Sequence, residues 1–353
     1  MISQEQVMER LATVIDPELH RPITELGMVD EIRIEGGRVH CAIKLTVPSC
    51  PLSGRIEQDI RTAVGGITGV EQVDVELGSM TDEERSALAE RLHPRRHSTV
   101  TAPESKVRVV ICGSGKGGVG KSTVAVNVAA ALQTKGRAVG VLDADVYGFS
   151  VSRMLGAYEQ PTILEKDTIV PAAVHDLRVI SIGMLVDENT PVMWRGPMLH
   201  QLVDQFLNDV AWGDIDYLIV DAPPGTGDVA ISLSQLLPGA HVLLVTTPQE
   251  AAARVAGRVA QMAGKVGQKI LGIVENMSFF RCPDCGGEQP IFGQGGAQRL
   301  SEELGVPVLG RVPIEPELPR SGDEGEPIVW RQPESEAAQV FRSVAEAIDS
   351  AAW

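Results

Sequence analysis

The segment Gly115-Lys116-Gly117-Gly118-Val119-Gly120-Lys121-Ser122-Thr123 constrains this chain more than any other, because it reads G-x-x-x-x-G-K-[ST]. Such a loop works only between a strand and a helix. Its glycines let the backbone wrap a polyphosphate with N–H groups, and the helix N-terminus adds partial positive charge. Both flanks are present: an apolar run at 107–112 precedes the loop, and a helical pattern at 121–134, closed by Gly136, follows it. Lys121 is then placed to reach the β- and γ-phosphates of ATP, and the Ser122 hydroxyl to ligate Mg2+. Every residue from Gly115 to Thr123 is an ATP-binding candidate on this reading.

Short β-branched runs at 107–112, 138–142, 177–182, 217–220, 241–245, 270–274 and 306–309 alternate with helical stretches. Near-continuous apolar strands in that arrangement predict an α/β domain over 106–353, a doubly wound, mostly parallel sheet covered on both faces. Sheets of this kind bind ligands at the carboxyl ends of their strands. Two acidic segments fall there, Asp143-Ala144-Asp145 and Asp221-Ala222-Pro223-Pro224-Gly225-Thr226-Gly227-Asp228. Hydrolysis needs one carboxylate to orient the attacking water and another to hold Mg2+ through its waters. Asp145 takes the first role and Asp221 the second, which makes Lys121, Asp145 and Asp221 catalytic candidates. Asp143 and Asp228 also stand at strand ends, where an aspartate equally serves as a helix cap.

Residues 1–92 read as a separate small α+β unit. An apolar-periodic segment at 4–15 is followed by strand-like pieces at 29–34 and 38–47, with a Glu35-Gly36-Gly37 turn that implies a hairpin. Val39, Cys41, Ile43, Leu45 and Val47 alternate with polar or small residues, so one face is buried. A helix near 52–64, a strand near 70–77 and a charged helix near 81–92 complete the unit, and the polar, Pro-bounded stretch 93–105 reads as a linker.

Charge narrows the partners. Lys and Arg number 31 against 47 Asp and Glu, a net charge of −16 that repels nucleic-acid backbones and anionic lipid. No apolar run approaches the roughly 20 residues that span a bilayer, and the first residues lack a basic-then-apolar leader. The expectation is a cytoplasmic protein with no nucleic-acid and no membrane partner. Its five cysteines, at 41, 50, 112, 282 and 285, are too few and too unevenly spaced for a disulfide scaffold.

Lys116 is surplus to a generic phosphate loop, since two ammonium groups aimed at the same phosphates repel each other; it is free to serve a second nucleotide. In this respect the chain resembles the deviant Walker A group of P-loop ATPases, whose K-G-G-x-G-K-[ST] is matched by Lys116 to Ser122. The resemblance implies that Lys116 is catalytic across a homodimer interface, at the partner's ATP. It also implies that the two acidic segments occupy the switch positions, and that Asn276 contacts adenine. One departure stands out: after Gln249-Glu250, where an aspartate is expected within the next helix, the chain runs Ala251-Ala252-Ala253-Arg254-Val255-Ala256. Transfer of the group's switch contacts to that helix is thereby weakened.

Cys282-Pro283-Asp284-Cys285 is a C-x-x-C whose Pro and following Gly286-Gly287 bend the backbone so that both thiolates converge on one metal. Structural zinc and cubane iron–sulfur clusters both want four such ligands, and thiolates do not discriminate between them. Cys41 falls on the buried face of its strand and Cys112 ends a central one, so both read as packing residues. A twofold dimer presenting two pairs at its axis is the economical way to complete the site.

Taken in order, Gly115 to Ser122, Asp143 to Asp145, Asp221 to Gly227, Val274-Glu275-Asn276-Met277-Ser278 and Cys282 to Cys285 closely resemble the Mrp/ApbC family of iron–sulfur cluster carrier ATPases. Ile291-Phe292-Gly293 and Asp323-Glu324-Gly325-Glu326-Pro327-Ile328-Val329 are also similar to it. The resemblance implies a labile 4Fe–4S cluster held between subunits by Cys282 and Cys285, and its transfer to apo iron–sulfur proteins with ATP turnover. Residues 1–92 resemble the small MIP-type iron–sulfur assembly domain through Ile15-Asp16-Pro17-Glu18-Leu19, Thr24-Glu25-Leu26-Gly27-Met28-Val29 and Leu45-Thr46-Val47-Pro48-Ser49-Cys50-Pro51. That makes Cys50 a candidate for cluster handling, between a strand and a helix whose dipole can lower a thiol pKa. The alternative reading is a dimeric positioning or partitioning switch with structural zinc at the cysteine pair. Such a switch wants a basic C-terminal helix, whereas 334–353 carries Arg342 among several acids.

Overall fold

The computed structural model describes residues 2–16, 21–45, 53–81, 84, 100–102, 104–163, 168–185 and 196–353. They belong to two units, Met1–Arg95 and Arg96–Trp353. Most of the stretch expected as a charged helix at 81–92, and most of the expected linker, lie outside the described residues.

In the first unit, α1 (Gln4–Leu11) starts at a reciprocal cap. The Gln6 N–H donates to the Ser3 hydroxyl at 3.2 Å, and the Gln6 side chain accepts from the Ser3 N–H at 3.1 Å. The helix stops at Leu11, earlier than the apolar pattern extends, because Ile15 turns back to bridge Pro22. Strands β1 (Val29–Glu35) and β2 (Arg38–Leu45) form the antiparallel hairpin implied by Glu35-Gly36-Gly37, and Gly36 takes the left-handed φ of 61° that the turn demands. Helix α2 (Ser53–Gly65) follows, and β3 (Gln72–Ser79) pairs parallel to β2. Val39, Cys41, Ile43 and Leu45 bury one face of β2 with Val7 and Leu11 of α1 and Ile56 and Ile60 of α2. His40 and Lys44, on the other face, stay near Glu76 and Asp30 respectively.

The second unit begins with β4 (Arg108–Ser114), α3 (Lys121–Thr134), β5 (Val139–Asp143) and α4 (Val151–Met154). A short hairpin of β6 (Thr162–Ile163) and β7 (Ile169–Val170) leads to β8 (Ala172–Val174) and β9 (Leu177–Ser181). Then come α5 (Gly196–Asn208), β10 (Tyr217–Asp221), α6 (Asp228–Leu236), β11 (His241–Thr246), α7 (Glu250–Lys265) and β12 (Lys269–Glu275). A second hairpin, β13 (Phe280–Arg281) with β14 (Glu288–Gln289), precedes α8 (Gly296–Leu304), β15 (Val308–Arg311), α9 (Glu317–Asp323), α10 (Ile328–Arg331) and α11 (Glu336–Asp349).

The sheet has eight strands in the order β15-β12-β11-β4-β10-β5-β9-β8. The seven strands expected from the apolar runs are parallel, and β8 adds an antiparallel edge against β9. Every residue of β5, β10 and β11 is buried, which is why their sequences do not alternate. One face is covered by α3, α10 and α11 with Phe341 at its centre; the other is covered by α5, α6, α7 and α8 with Trp212 and Phe206. Truncating either Phe341 or Trp212 to alanine costs about 3–5 kcal/mol. The carboxyl ends of β4, β10 and β5 lie side by side, so the phosphate loop, Asp221 and Asp143 emerge on one edge of the sheet. No helix among the described residues is long and apolar enough to cross a membrane.

Candidate nucleotide site and cysteine hairpin

The phosphate loop joins β4 to α3, and it is held from two sides. A Cβ on Gly115 would lie 2.3 Å from the Val255 carbonyl carbon and 2.4 Å from the Ala256 nitrogen, so only glycine lets the loop start against the backbone of α7. Gly120 caps α3 with a φ of 79°, and a Cβ there would sit 2.0 Å from Asn276 Nδ2. No side chain caps α3, and its first N–H groups are left for an anion. The loop lines a cavity of about 680 Å³ together with Asp145, Tyr147, Pro224 and Asp228, a size that suits a nucleotide.

Beneath the loop, Lys121 and Ser122 converge on Asp221. Lys121 Nζ is 2.5 Å from Asp221 Oδ1, and the Ser122 hydroxyl donates to Asp221 Oδ2 at 2.6 Å. Asp221 is fully buried and Lys121 is 6% exposed, so the pair is compensated in a poorly solvated site. Two hard oxygens, Ser122 Oγ and Asp221 Oδ2, lie 2.6 Å apart, the donor chemistry Mg2+ takes. Asp145 Oδ2 stands 3.8 Å from Lys121 Nζ; burial raises the Asp145 carboxyl, and the Lys121 charge pulls it back down.

Asp143 behaves differently from its neighbour Asp145. It lies off the cavity, and its oxygens accept from the N–H groups of Asp145, Ser150 and Val151 and from the Ser181 hydroxyl, at 2.9–3.2 Å. Burial and Asp221 push Asp143 up to about 7, against those four donors. It fastens the start of α4 and the loop that carries Asp145. Asp228 opens α6 and lines the cavity.

The Lys116 ammonium donates to Gln249 Oε1 at 3.1 Å, beside the N-terminus of α7. Gln249 was not picked out in the sequence, where it marked only the end of a strand. On the far side of the loop, Asn276 Nδ2 donates to the Val119 carbonyl at 2.9 Å, while its Oδ1 is buried without a partner among the described residues. An orphaned amide oxygen beside a phosphate loop matches an exocyclic amine such as that of adenine.

Four residues beyond Asn276 the chain enters the β13–β14 hairpin, whose turn carries Cys282 and Cys285. The Cys282 N–H donates to the Gly287 carbonyl at 3.0 Å and the Gly286 N–H to the Cys282 carbonyl at 2.9 Å, closing the turn. The N–H groups of Cys285 and Asp284, with the Cys285 thiol, hold the Cys282 thiol below its ordinary pKa. Cys285 is exposed and Cys282 half-buried. Among the described residues no group of three or more His, Cys, Asp or Glu is placed to hold a metal ion, and the hairpin by itself presents two thiols. Cys41 and Cys112 are buried, and burial raises both thiols, Cys41 to about 11. Cys50 lies outside the described residues. Sequence reasoning noted Glu275 only within a family segment and passed over Arg311, which stands 3.8 Å from Glu275 and 3.7 Å from Glu288 of the hairpin. A lone carboxylate closing the apolar strand β12 was the available signal for Glu275.

Residues 105–349 match the family described as NUBPL iron-transfer P-loop NTPase, and residues 4–76 match the family described as iron-sulfur cluster assembly protein. The chain is 48% identical to the iron-sulfur cluster carrier protein of Mycobacterium leprae strain TN, over 98% of this chain and 92% of that protein. It is 43% identical to the protein of that name from Synechocystis sp., over 99% and 97% respectively. Among solved structures, a nucleotide-binding protein in complex with ADP from Archaeoglobus fulgidus is 32% identical, with a TM-score of 0.58 over 67% of this chain and 93% of that one. The cell division ATPase MinD of Pyrococcus furiosus is 26% identical, with a TM-score of 0.52 over 69% and 99%. The second likeness explains why fold alone leaves a positioning switch open as a reading: both kinds of protein share the sheet and the loop.

Proposed function

The chain belongs to the NUBPL iron-transfer P-loop NTPase family, and from that premise we propose that it is an ATP-hydrolysing iron–sulfur cluster carrier that delivers its cargo to apo-proteins. One observation carries this reading: a pair of thiols sits on the same short segment that touches the phosphate loop, with Asn276 bonded to the Val119 carbonyl and Cys282 following six residues later. ATP hydrolysis and metal binding are thus joined covalently at close range.

In this mechanism the α3 N-terminus and Lys121 bind the phosphates, and Asn276 offers its free amide oxygen to the adenine amine. Ser122 and Asp221 would hold Mg2+, whose charge offsets that of the phosphates. Nucleotide entry draws Lys121 and Ser122 off Asp221, exchanging a protein ion pair for ligand contacts. Asp145 orients the attacking water beside Lys121. Lys116 acts across the interface of a homodimer, at the second copy's ATP; its reach to Gln249, outside its own loop, supports that assignment. The cargo is a labile 4Fe–4S cluster held by Cys282 and Cys285 of both copies. Basal turnover is slow, because a carrier gains by hydrolysing only when loaded or docked. Residues 1–92 form a separate small domain joined through 93–105, with Cys50 handling clusters there, and the protein works in the cytoplasm.

Anaerobic reconstitution with iron and sulfide, comparing the natural protein with Cys282→Ser, tests the proposal. About four irons and four sulfides per dimer, lost in the variant, are expected. Stoichiometric zinc without sulfide would instead favour the positioning switch, and a cluster indifferent to the substitution would remove Cys282 from the site.

A further inference from the structure

Around the cysteine hairpin, charged side chains form one connected network that starts at the nucleotide side. Glu275, the last residue of β12 and the neighbour of Asn276, is buried. Its Oε1 accepts from the Ala297 N–H at 3.1 Å, and its Oε2 accepts from the Ser278 hydroxyl. Arg311, closing β15, donates from Nε to Ser278 Oγ at 3.0 Å and stands 3.8 Å from Glu275 Oε2. Its other arm, Nη2, lies 3.7 Å from Glu288 on β14. Glu288 in turn accepts from Arg281 Nη2 at 3.3 Å, and Arg281 Nη1 donates to the Gly286 carbonyl at 2.9 Å, inside the cysteine turn. The two guanidiniums share the ring of Phe279, with their carbons 5.1 and 5.2 Å from its centroid. Arg281 also pairs with Glu336 at the start of α11, at 2.5 and 2.7 Å.

We propose that Arg311 is a positioning residue that couples the nucleotide site to the two thiolates, through Glu275 and Ser278 on one side and Glu288 and Arg281 on the other. This rests on the carrier reading for its cargo, but the coupling itself concerns only the thiol pair and the nucleotide. The geometry favours Arg311 over the backbone alone for a physical reason. Two strand residues and a two-by-two hairpin cannot define the orientation of an exposed turn. A planar guanidinium bridging two carboxylates on different elements can transmit a rotation of one to the other. Met277, held at a φ of 55° between the two ends, is the position at which such a rotation would be absorbed. A shift of Asn276 on adenine binding moves Glu275 and Ser278, Arg311 follows, and Glu288 and Arg281 re-aim the turn.

The test is the alkylation rate of Cys282 and Cys285 in the full-length, cluster-free protein, read peptide by peptide by mass, with and without Mg-ATP. The same comparison is then made on cluster-loaded protein as the rate of iron loss to a chelator. In the natural protein ATP is expected to change both rates several-fold. Arg311→Ala and, independently, Glu288→Gln should bring the ratio to about one, with ATP affinity and basal hydrolysis unchanged. Arg311→Lys, which places a single point charge there, should restore part of the ratio. A natural-protein ratio of one, or an unaltered ratio in Arg311→Ala, overturns the coupling. Should no cluster form while the alkylation ratio still depends on Arg311, the positioning role stands and the cargo assignment falls.

Discussion

The phosphate-loop end of the sheet and the cysteine hairpin are built by opposite means. Lys121, Ser122, Asp143 and Asp221 sit on fully buried strand ends and a helix start, with their charges paired or hydrogen-bonded inside the protein. Cys282 and Cys285 sit on an exposed turn between strands of two residues each, held from outside by arginines. Phosphoryl chemistry rewards fixed groups in a dry site, so its residues are locked by the tertiary core. A ligand set that must release its cargo needs access, and the geometry of this pair comes from local turn hydrogen bonds.

That contrast is easiest to break with Lys121→Met against Cys282→Ser. Removing the lysine leaves Asp221 buried with only the Ser122 hydroxyl, and is expected to cost about 3–5 kcal/mol in nucleotide-free denaturation. Phosphate release should fall by about 100-fold or more. Cys282→Ser should stay within about 0.5 kcal/mol of the natural protein while losing its cluster. Equal stability losses in the two variants would erase the distinction.

Glycine substitutions sharpen it. Gly120→Ala combines a φ of 79° with a Cβ 2.0 Å from Asn276 Nδ2, and about 2–3 kcal/mol of strain is expected, read as a loss of ATP affinity by calorimetry. Gly286→Ala in the cysteine turn has a φ of 69° but nothing within 4 Å, so only the backbone cost of about 1–2 kcal/mol applies. Its readout is slower cluster uptake with unchanged hydrolysis.

The smallest effect expected is a pH dependence at the other end of the sheet. His241, at the start of β11, is buried with both ring nitrogens unpartnered among the described residues; burial, then Lys269, lowers its pKa below 6.5. The unfolded chain therefore binds the proton first, and stability contributed by neutral His241 is present above 6.5 and is lost as pH falls from there toward the lower folded pKa. Asp143, raised to about 7, acts in the opposite sense: stability falls as pH rises from its ordinary value of 3.8 toward that pKa. The comparison must therefore be made as a difference. His241→Phe should have a denaturation midpoint that falls less steeply than the natural protein's between about pH 7 and 5. Parallel curves would show that His241 is not held neutral.

Much of this molecule was legible from short stretches of chain. The phosphate loop announces itself because its chemistry needs glycines, a lysine and a hydroxyl at adjacent positions, and the C-x-x-C because a turn alone brings two thiols together. The parallel strands were visible as apolar runs, since burial on both faces removes alternation. The antiparallel edge β8 carried no such signal, being three residues long. For Asp143 the sequence left a catalytic role and a helix-cap role both open, and the choice is made only because the N–H groups of Ser150 and Val151 and the Ser181 hydroxyl are folded back onto it.

Local chemistry therefore singles out the groups proposed to meet phosphate and metal. Which of them are sealed, paired or exposed is decided by partners far along the chain: Lys116 with Gln249, Lys121 with Asp221, Asn276 with Val119, Arg311 with Glu288. Hydrogen bonds and ion pairs act over a few ångströms of space, whatever the number of residues between their ends, and only the packed sheet brings these ends together.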